Sequence, residues 1–169
     1  MPSTPPATRP GPEPDPSGLA PEGVREPHAK PAAEPLRLDI LLVEDNKDTL
    51  FYLALLLGQA GHRVRPAANL AQAIALGEAG PLDLLISDIE LPDGTGLDLV
   101  RHLHATRPTR LPAIAMSGFG SDDDVRLSLE CGFLAHLVKP IDFRRLVATI
   151  REALAAGPPP DSTPAAPPL

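Results

Sequence analysis

A chain of 169 residues with 23 prolines, one cysteine and a formal net charge of −7 holds one ordinary domain with residues to spare. The acidic balance, with no basic stripe, argues against nucleic acid as a partner, and a single cysteine excludes an internal disulfide. No apolar run approaches the length of a membrane span, and the first residues lack the basic-then-apolar order of a signal peptide, so the expected setting is cytoplasmic, with no membrane partner. Residues 1–36 and 157–169 are rich in Pro and Ala and poor in large apolar side chains. They cannot bury enough surface to offset ordering and are expected to be disordered tails around a folded core at 37–156.

In chain order, Leu36 to Val43 reads as the first strand, with Ile40-Leu41-Leu42-Val43 an apolar run suited to a sheet covered on both faces. It ends on Glu44-Asp45. Asn46 or Asp48 can cap the helix that follows, whose Leu50, Leu53, Ala54 and Leu57 recur at helical spacing up to Gly58 or Gly61. His62 to Ala67 is a weaker strand, and Arg63 and Arg65 suit a sheet edge. Asn69 caps a second helix carrying Leu70, Ala73 and Ile74.

Leu84 to Asp88 is the third strand, an apolar run that stops on one acid and breaks at Pro92-Asp93-Gly94. A helix from about Gly96 to Thr106 places Leu99, Val100 and Leu103 on one side. Pro112 to Met116 is the fourth strand, ending at Ser117-Gly118. Ser121 then opens a helix whose first turn, Asp122, Asp123 and Asp124, reads as solvated acids that suit the helix dipole. The fifth strand, Ala135 to Val138, ends on Lys139-Pro140, and Asp142 caps a last helix with Phe143, Leu146, Val147, Ile150 and Leu154 on one face. Alternating strands and helices define an α/β protein: a five-stranded parallel sheet with helices on both faces, because each parallel crossover needs a connection of helix length.

The function follows from what the strands end on. Glu44-Asp45, Asp88, Ser117 and Lys139 share the carboxyl rim of the sheet, where ligands bind in open α/β folds. Carboxylates brought together there repel unless a cation joins them, and an all-oxygen set with no His or Cys favours Mg2+. With a metal at Asp45 and Asp88, an ammonium from Lys139 and a hydroxyl from Ser117, the rim matches a transferring phosphoryl group, and Asp88 is the nucleophile that accepts it as an acyl phosphate.

These residues, in this order and at these strand ends, resemble the receiver domain of two-component response regulators, with a flavodoxin-like (βα)5 architecture. The likeness spans residues 37–156, and although each motif is weak alone, the ordered set is specific. It implies that Asp88 is the phospho-acceptor, that Asp45 and Asp88 bind the metal directly with the Glu90 carbonyl, and that Glu44 acts through water. It also implies Ser117 as hydroxyl switch, Lys139 as phosphoryl partner, Ile89 and Gly118 as backbone donors, and a cis Lys139–Pro140 bond. His136 falls where the family often has Tyr or Phe and is expected to switch with Ser117.

The implied partners are a sensor histidine kinase or histidine phosphotransfer protein upstream, and a protein that reads the face of the fourth helix, fifth strand and last helix downstream. The short Pro-rich end after the last helix fits a single-domain regulator that signals in trans, not a classical enzyme but one that catalyses its own phosphorylation and slow dephosphorylation. Singly, Lys139 reads as a surface lysine, Ser117 as a turn former and Glu44 as a solvated strand end; together they do not. A phosphoryl carrier without switching is one rival. Another is an Asp-nucleophile phosphohydrolase, which would want Asp in place of Glu90 as its general acid. Cys131 reads as a packed structural residue, His102 and His104 do not share a helix face, and His28 and His62 show no partner.

Overall fold

The computed structural model describes residues 36–157. Apart from Leu36 and Gly157, the two segments expected to be disordered lie outside the described residues, as does His28. The elements run β1 (Asp39–Val43), α1 (Lys47–Gln59), β2 (Arg63–Ala67), α2 (Leu70–Glu78), β3 (Leu84–Asp88), β4 (Glu90–Leu91), β5 (Gly94–Thr95), α3 (Gly96–Thr106), β6 (Ala113–Ser117), α4 (Asp122–Glu130), β7 (Ala135–Val138) and α5 (Phe143–Ala156).

Five strands form one parallel sheet in the order β2-β1-β3-β6-β7. Every residue of β3 and β6 is buried, which is why these strands are apolar on both faces. The edge strand β2 tolerates Pro66, which cannot donate to a ladder, and its Arg63 and Arg65 lie 3.6 and 3.8 Å from Asp39. Side chains that alternate across the sheet build two cores. Ile40, Leu42, Leu84, Ile86, Ile114 and Met116 meet α1 and α5 through Leu53, Leu57, Leu146 and Ile150. On the other face Leu41, Val43, Leu85, Ala113 and Ala115 meet α2 and α3 through Ala73, Leu99, Val100 and Leu103. α4 is different, since its one buried residue is Ser128.

The caps act as their chemistry dictates. Asn46 accepts from Asp48 N and Thr49 N, Asn69 from Gln72 N, Thr95 from Asp98 N, Ser121 from Asp124 N, and Asp142 from Arg144 N and Arg145 N.

Several boundaries differ from expectation, and β2 begins at Arg63 and not His62. β1 begins at Asp39 and not Leu36, and Leu38 N, at the strand's edge, donates to the His62 ring (3.4 Å). β6 starts and ends one residue later, because Pro112 has no N–H to donate while Ser117 still accepts from Lys139 N at 2.8 Å. The turn after Asp88 is a two-pair hairpin, Glu90 opposite Thr95 and Leu91 opposite Gly94. Among the described residues, no helix is long and apolar enough to cross a membrane.

Candidate functional site

Strand order reverses beside β1, whose neighbours β2 and β3 lie on either side, and the crevice at the carboxyl ends of β1 and β3 is where such sheets bind ligands. β1 delivers Glu44 and Asp45 there, and β3 delivers Asp88. One carboxylate oxygen from each lies within 4.8 Å of the others. Glu44 is fully buried, Asp88 is 4% exposed and Asp45 faces solvent.

The backbone around Asp88 is tightly set. Ser87 Oγ donates to the Asp88 carbonyl at 2.8 Å, and Glu90 N donates to Asp88 Oδ1 at 3.1 Å. α3 starts against the same carbonyl: a Cβ on Gly96 would stand 2.2 Å from Asp88 O and 2.9 Å from Ser87 Oγ, so only glycine suits that position. Gly96 N donates to Ile89 O at 2.8 Å and fixes the base of the β4–β5 hairpin. At its tip, Asp93 accepts from Leu70 N and Ala71 N of α2 at 2.7 and 2.9 Å.

Lys139 enters from the end of β7, and its peptide bond to Pro140 is cis, as the resemblance implied. Its Nζ donates to Asp88 Oδ2 at 2.5 Å and lies 2.7 Å from Glu44 Oε2. The second contact is an ion pair outside hydrogen-bond geometry, so Glu44 Oε2 is buried without a hydrogen-bond donor. Burial is the largest influence on both groups and disfavours charge. It raises the Glu44 pKa despite Lys139 and Asn46 N, whereas at Lys139 the hydrogen bond to Asp88 and the close carboxylates of Asp88 and Glu44 together outweigh it and hold the ammonium above its ordinary range.

This donor set suits a hard divalent cation. It is all oxygen, it has an orphan buried acceptor in Glu44, and it opens to solvent at Asp45, where a metal that keeps several waters can retain them.

Ser117 ends β6 beside this cluster, 3% exposed, and its Oγ accepts from Phe119 N at 2.9 Å; Gly118 is exposed. The expectation for Ile89 is revised. Its N–H donates to Met116 O at 2.9 Å and extends the sheet, so the amide that faces the Asp88 carboxylate belongs to Glu90. His136, half-buried on β7, bridges Ser128 of α4 (Nδ1 to Oγ, 3.0 Å) and the Phe119 carbonyl (Nε2 to O, 3.2 Å).

The remaining candidates stand apart. His102 lies 2.8 Å from Glu78 and His104 2.9 Å from the Leu111 carbonyl, so the two share no ligand. Asp123 pairs with Arg126 and Asp124 with Ser121. Cys131 packs at the edge of a core, and its sulfur accepts from Arg101 at 2.9 Å. Sequence reasoning missed Gly96 and the Asp93 fork. A glycine at the first helical position hints at a close approach, but nothing near residue 93 in the sequence announces a contact with residues 70 and 71.

A parallel five-stranded sheet with a lysine and three carboxylates at its switch point defines a receiver, and the comparisons agree. The family model for the response regulator receiver domain matches residues 40–151, and the chain belongs to that family. Its members accept a phosphoryl group in two-component signalling, so the fold is that of a signalling domain.

The chain is 33% identical over 124 residues to an uncharacterized 14.6 kDa protein in the sodA1 3′ region of Leptolyngbya boryana, covering 73% of this chain and 95% of that one. It is 35% identical to the response regulator protein PilR of Pseudomonas aeruginosa over 70% of this chain and 26% of PilR. With the transcriptional regulatory protein CusR of Escherichia coli it shares 37% identity over 71% of this chain and 52% of CusR. It thus spans about a quarter of PilR and about half of CusR. Among solved structures, a CheY-like receiver domain protein from Methanospirillum hungatei superposes with a TM-score of 0.66 at 30% identity, covering 72% of this chain and 96% of that one.

Proposed function

We propose that this protein is a single-domain response regulator that takes a phosphoryl group on Asp88 from a sensor histidine kinase or histidine phosphotransfer protein, with Mg2+, and signals in trans. The observation that carries the reading is the buried Asp88 carboxylate held between Lys139 Nζ and Glu90 N, beside Glu44 and Asp45. Relatives covered almost end to end support the single-domain reading.

In the transfer, an Asp88 oxygen bonds to phosphorus as the P–N bond of the donor's phosphohistidine breaks. The electron pair returns to the imidazole, which takes up a proton. Asp45, Asp88 and the Glu90 carbonyl, with Glu44 through water, would hold Mg2+, which would supply positive charge for the transferring oxygens. Lys139 neutralises a second oxygen, and the amides of Glu90 and Gly118 with the Ser117 hydroxyl take the rest. To reach the phosphoryl group, Ser117 must release Phe119 N, and the loop that also carries the Phe119 carbonyl then moves away from His136. His136 thereby loses one of its two partners and can turn. Phe119, Leu127, Leu129 and Val138 are already exposed around α4 and β7, which supports this face as the one a partner reads.

The test is incubation with acetyl phosphate and Mg2+ followed by intact-mass analysis. One added phosphoryl group is expected on the natural chain and none on Asp88→Asn. Equal labelling of both would move the acceptor elsewhere.

A further inference from the structure

α2 differs from the other helices near the rim in how its N-terminus is satisfied. α1, α3 and α4 carry acids of their own in the first turn, namely Asp48, Asp98 and Asp122 with its two neighbours, and α5 has the acid Asp142 as its cap, whereas α2 has neither. Its cap Asn69 accepts only from Gln72 N (2.8 Å), and Gln72 Oε1 accepts from Ala68 N (3.0 Å). The amides of Leu70 and Ala71 are left for Asp93, which takes one with each carboxylate oxygen from 23 and 22 residues away. These two bonds hold the Asp93 carboxyl below its ordinary pKa, so it is charged where the helix dipole favours charge.

The consequence lies at the other end of the hairpin. A ribbon of two residue pairs cannot hold its own shape in water. Its base is fixed by Gly96 N on Ile89 O, and its tip by Asp93 on α2. The same contact is close-packed, since a Cβ on Gly94 would meet Leu70 Cδ2 at 2.4 Å. Between base and tip sits Glu90, whose amide donates to Asp88.

We propose that Asp93 is a positioning residue for the acceptor site: by clamping the first two amides of α2 it fixes the β4–β5 hairpin, and through it the Glu90 backbone that serves Asp88 and the metal. The proposal rests on the roles given above to Asp88 and Glu90.

The test uses the full chain and three variants, Asp93→Ala, Asp93→Asn and Asn69→Ala. The last removes the helix's own cap and leaves the hairpin contact in place. Amide hydrogen exchange in metal-free protein is read first, then Mg2+ affinity by calorimetry with MgCl2 alone. Asp93→Ala is expected to speed exchange across residues 89–95 and to weaken Mg2+ binding about tenfold, the low end for a residue that acts through a ligand. Asp93→Asn, which keeps one acceptor, should fall between, and Asn69→Ala should change exchange in α2 alone. Natural exchange rates at 89–95 in Asp93→Ala would overturn the proposal, and so would Asn69→Ala loosening the hairpin as much. Absence of Mg2+ binding to the natural chain would sink the metal reading, while the exchange data would still decide whether Asp93 holds the hairpin.

Discussion

Lys139 Nζ and Asp88 Oδ2 meet at 2.5 Å although 51 residues separate them and the strands that deliver them, β7 and β3, do not pair. β6 lies between, so the ammonium reaches across one strand to neutralise two carboxylates that would otherwise repel. Lys139→Met removes that charge. In the absence of metal it should destabilise the fold by about 1–3 kcal/mol, because Glu44 and Asp88 are left as buried acceptors without a cation. Its Mg2+ affinity should rise, since a competing positive charge is gone, while phosphoryl uptake slows. Urea midpoints with and without Mg2+ would show this, and a midpoint unchanged in metal-free buffer would contradict the role given to the pair.

Ser117→Ala separates uptake from output. The hydroxyl holds Phe119 N in this structure and is needed to draw the loop inward, whereas Asp88, Asp45 and Lys139 are untouched. Phosphoryl uptake should persist. In the natural chain, phosphorylation or beryllofluoride should change the affinity for a cognate partner by about 1–3 kcal/mol, and in the variant that difference should shrink toward zero. Equal affinities already in the natural chain would make the protein a phosphoryl carrier and not a switch.

Gly96→Ala places a methyl group 2.2 Å from the Asp88 carbonyl, which is backbone and cannot move aside alone. A loss of roughly 3 kcal/mol, at the upper end for overpacking, is expected, with slower phosphorylation because Asp88 shifts. Thermal melts alongside the labelling assay would report both effects. A fully stable and active variant would show that α3 can slide along the sheet.

Acidification should weaken the fold through His104. Burial lowers its pKa from the ordinary 6.5; the bond to the Leu111 carbonyl opposes this and the charge of Arg110 adds to it, so the fold favours the neutral ring. His62 is lowered too, by burial. For a base with a depressed folded pKa, the stability is fully present above the unfolded value near 6.5 and is lost as pH falls toward and through the folded one. Urea midpoints should therefore drop as pH falls below about 6.5, and His104→Gln, whose side-chain N–H can still reach the Leu111 carbonyl, should flatten the slope. An undiminished slope would assign the effect to His62.

Much of this was legible because it is local. The runs Ile40–Val43 and Leu84–Asp88 carry their burial in their composition, and Asn69, Ser121 and Asp142 announce the helices they cap. The strand-end acids and Lys139 were legible as a set, since parallel topology alone puts strand ends on one rim. What escaped depends on contacts distant in sequence. His62 has no neighbour in the chain that reveals Leu38 N as its donor. The amide that serves Asp88 shifts from Ile89 to Glu90 because β6 takes the first through Met116 O. The hairpin exists only with α2 behind it.

The helix with a single buried residue, Ser128, has a thermal consequence. α4 meets the sheet through the Ser128 hydroxyl, which donates to Val125 O within the helix and reaches the His136 ring of β7, while Leu127 and Leu129 are exposed. Moving it transfers little hydrocarbon between protein and solvent, and the heat-capacity change of a transition tracks that transfer. The equilibrium between positions of α4 should give a nearly straight van't Hoff plot, shifting one way throughout on warming, while the stability of the domain beneath it passes through a maximum and falls on either side.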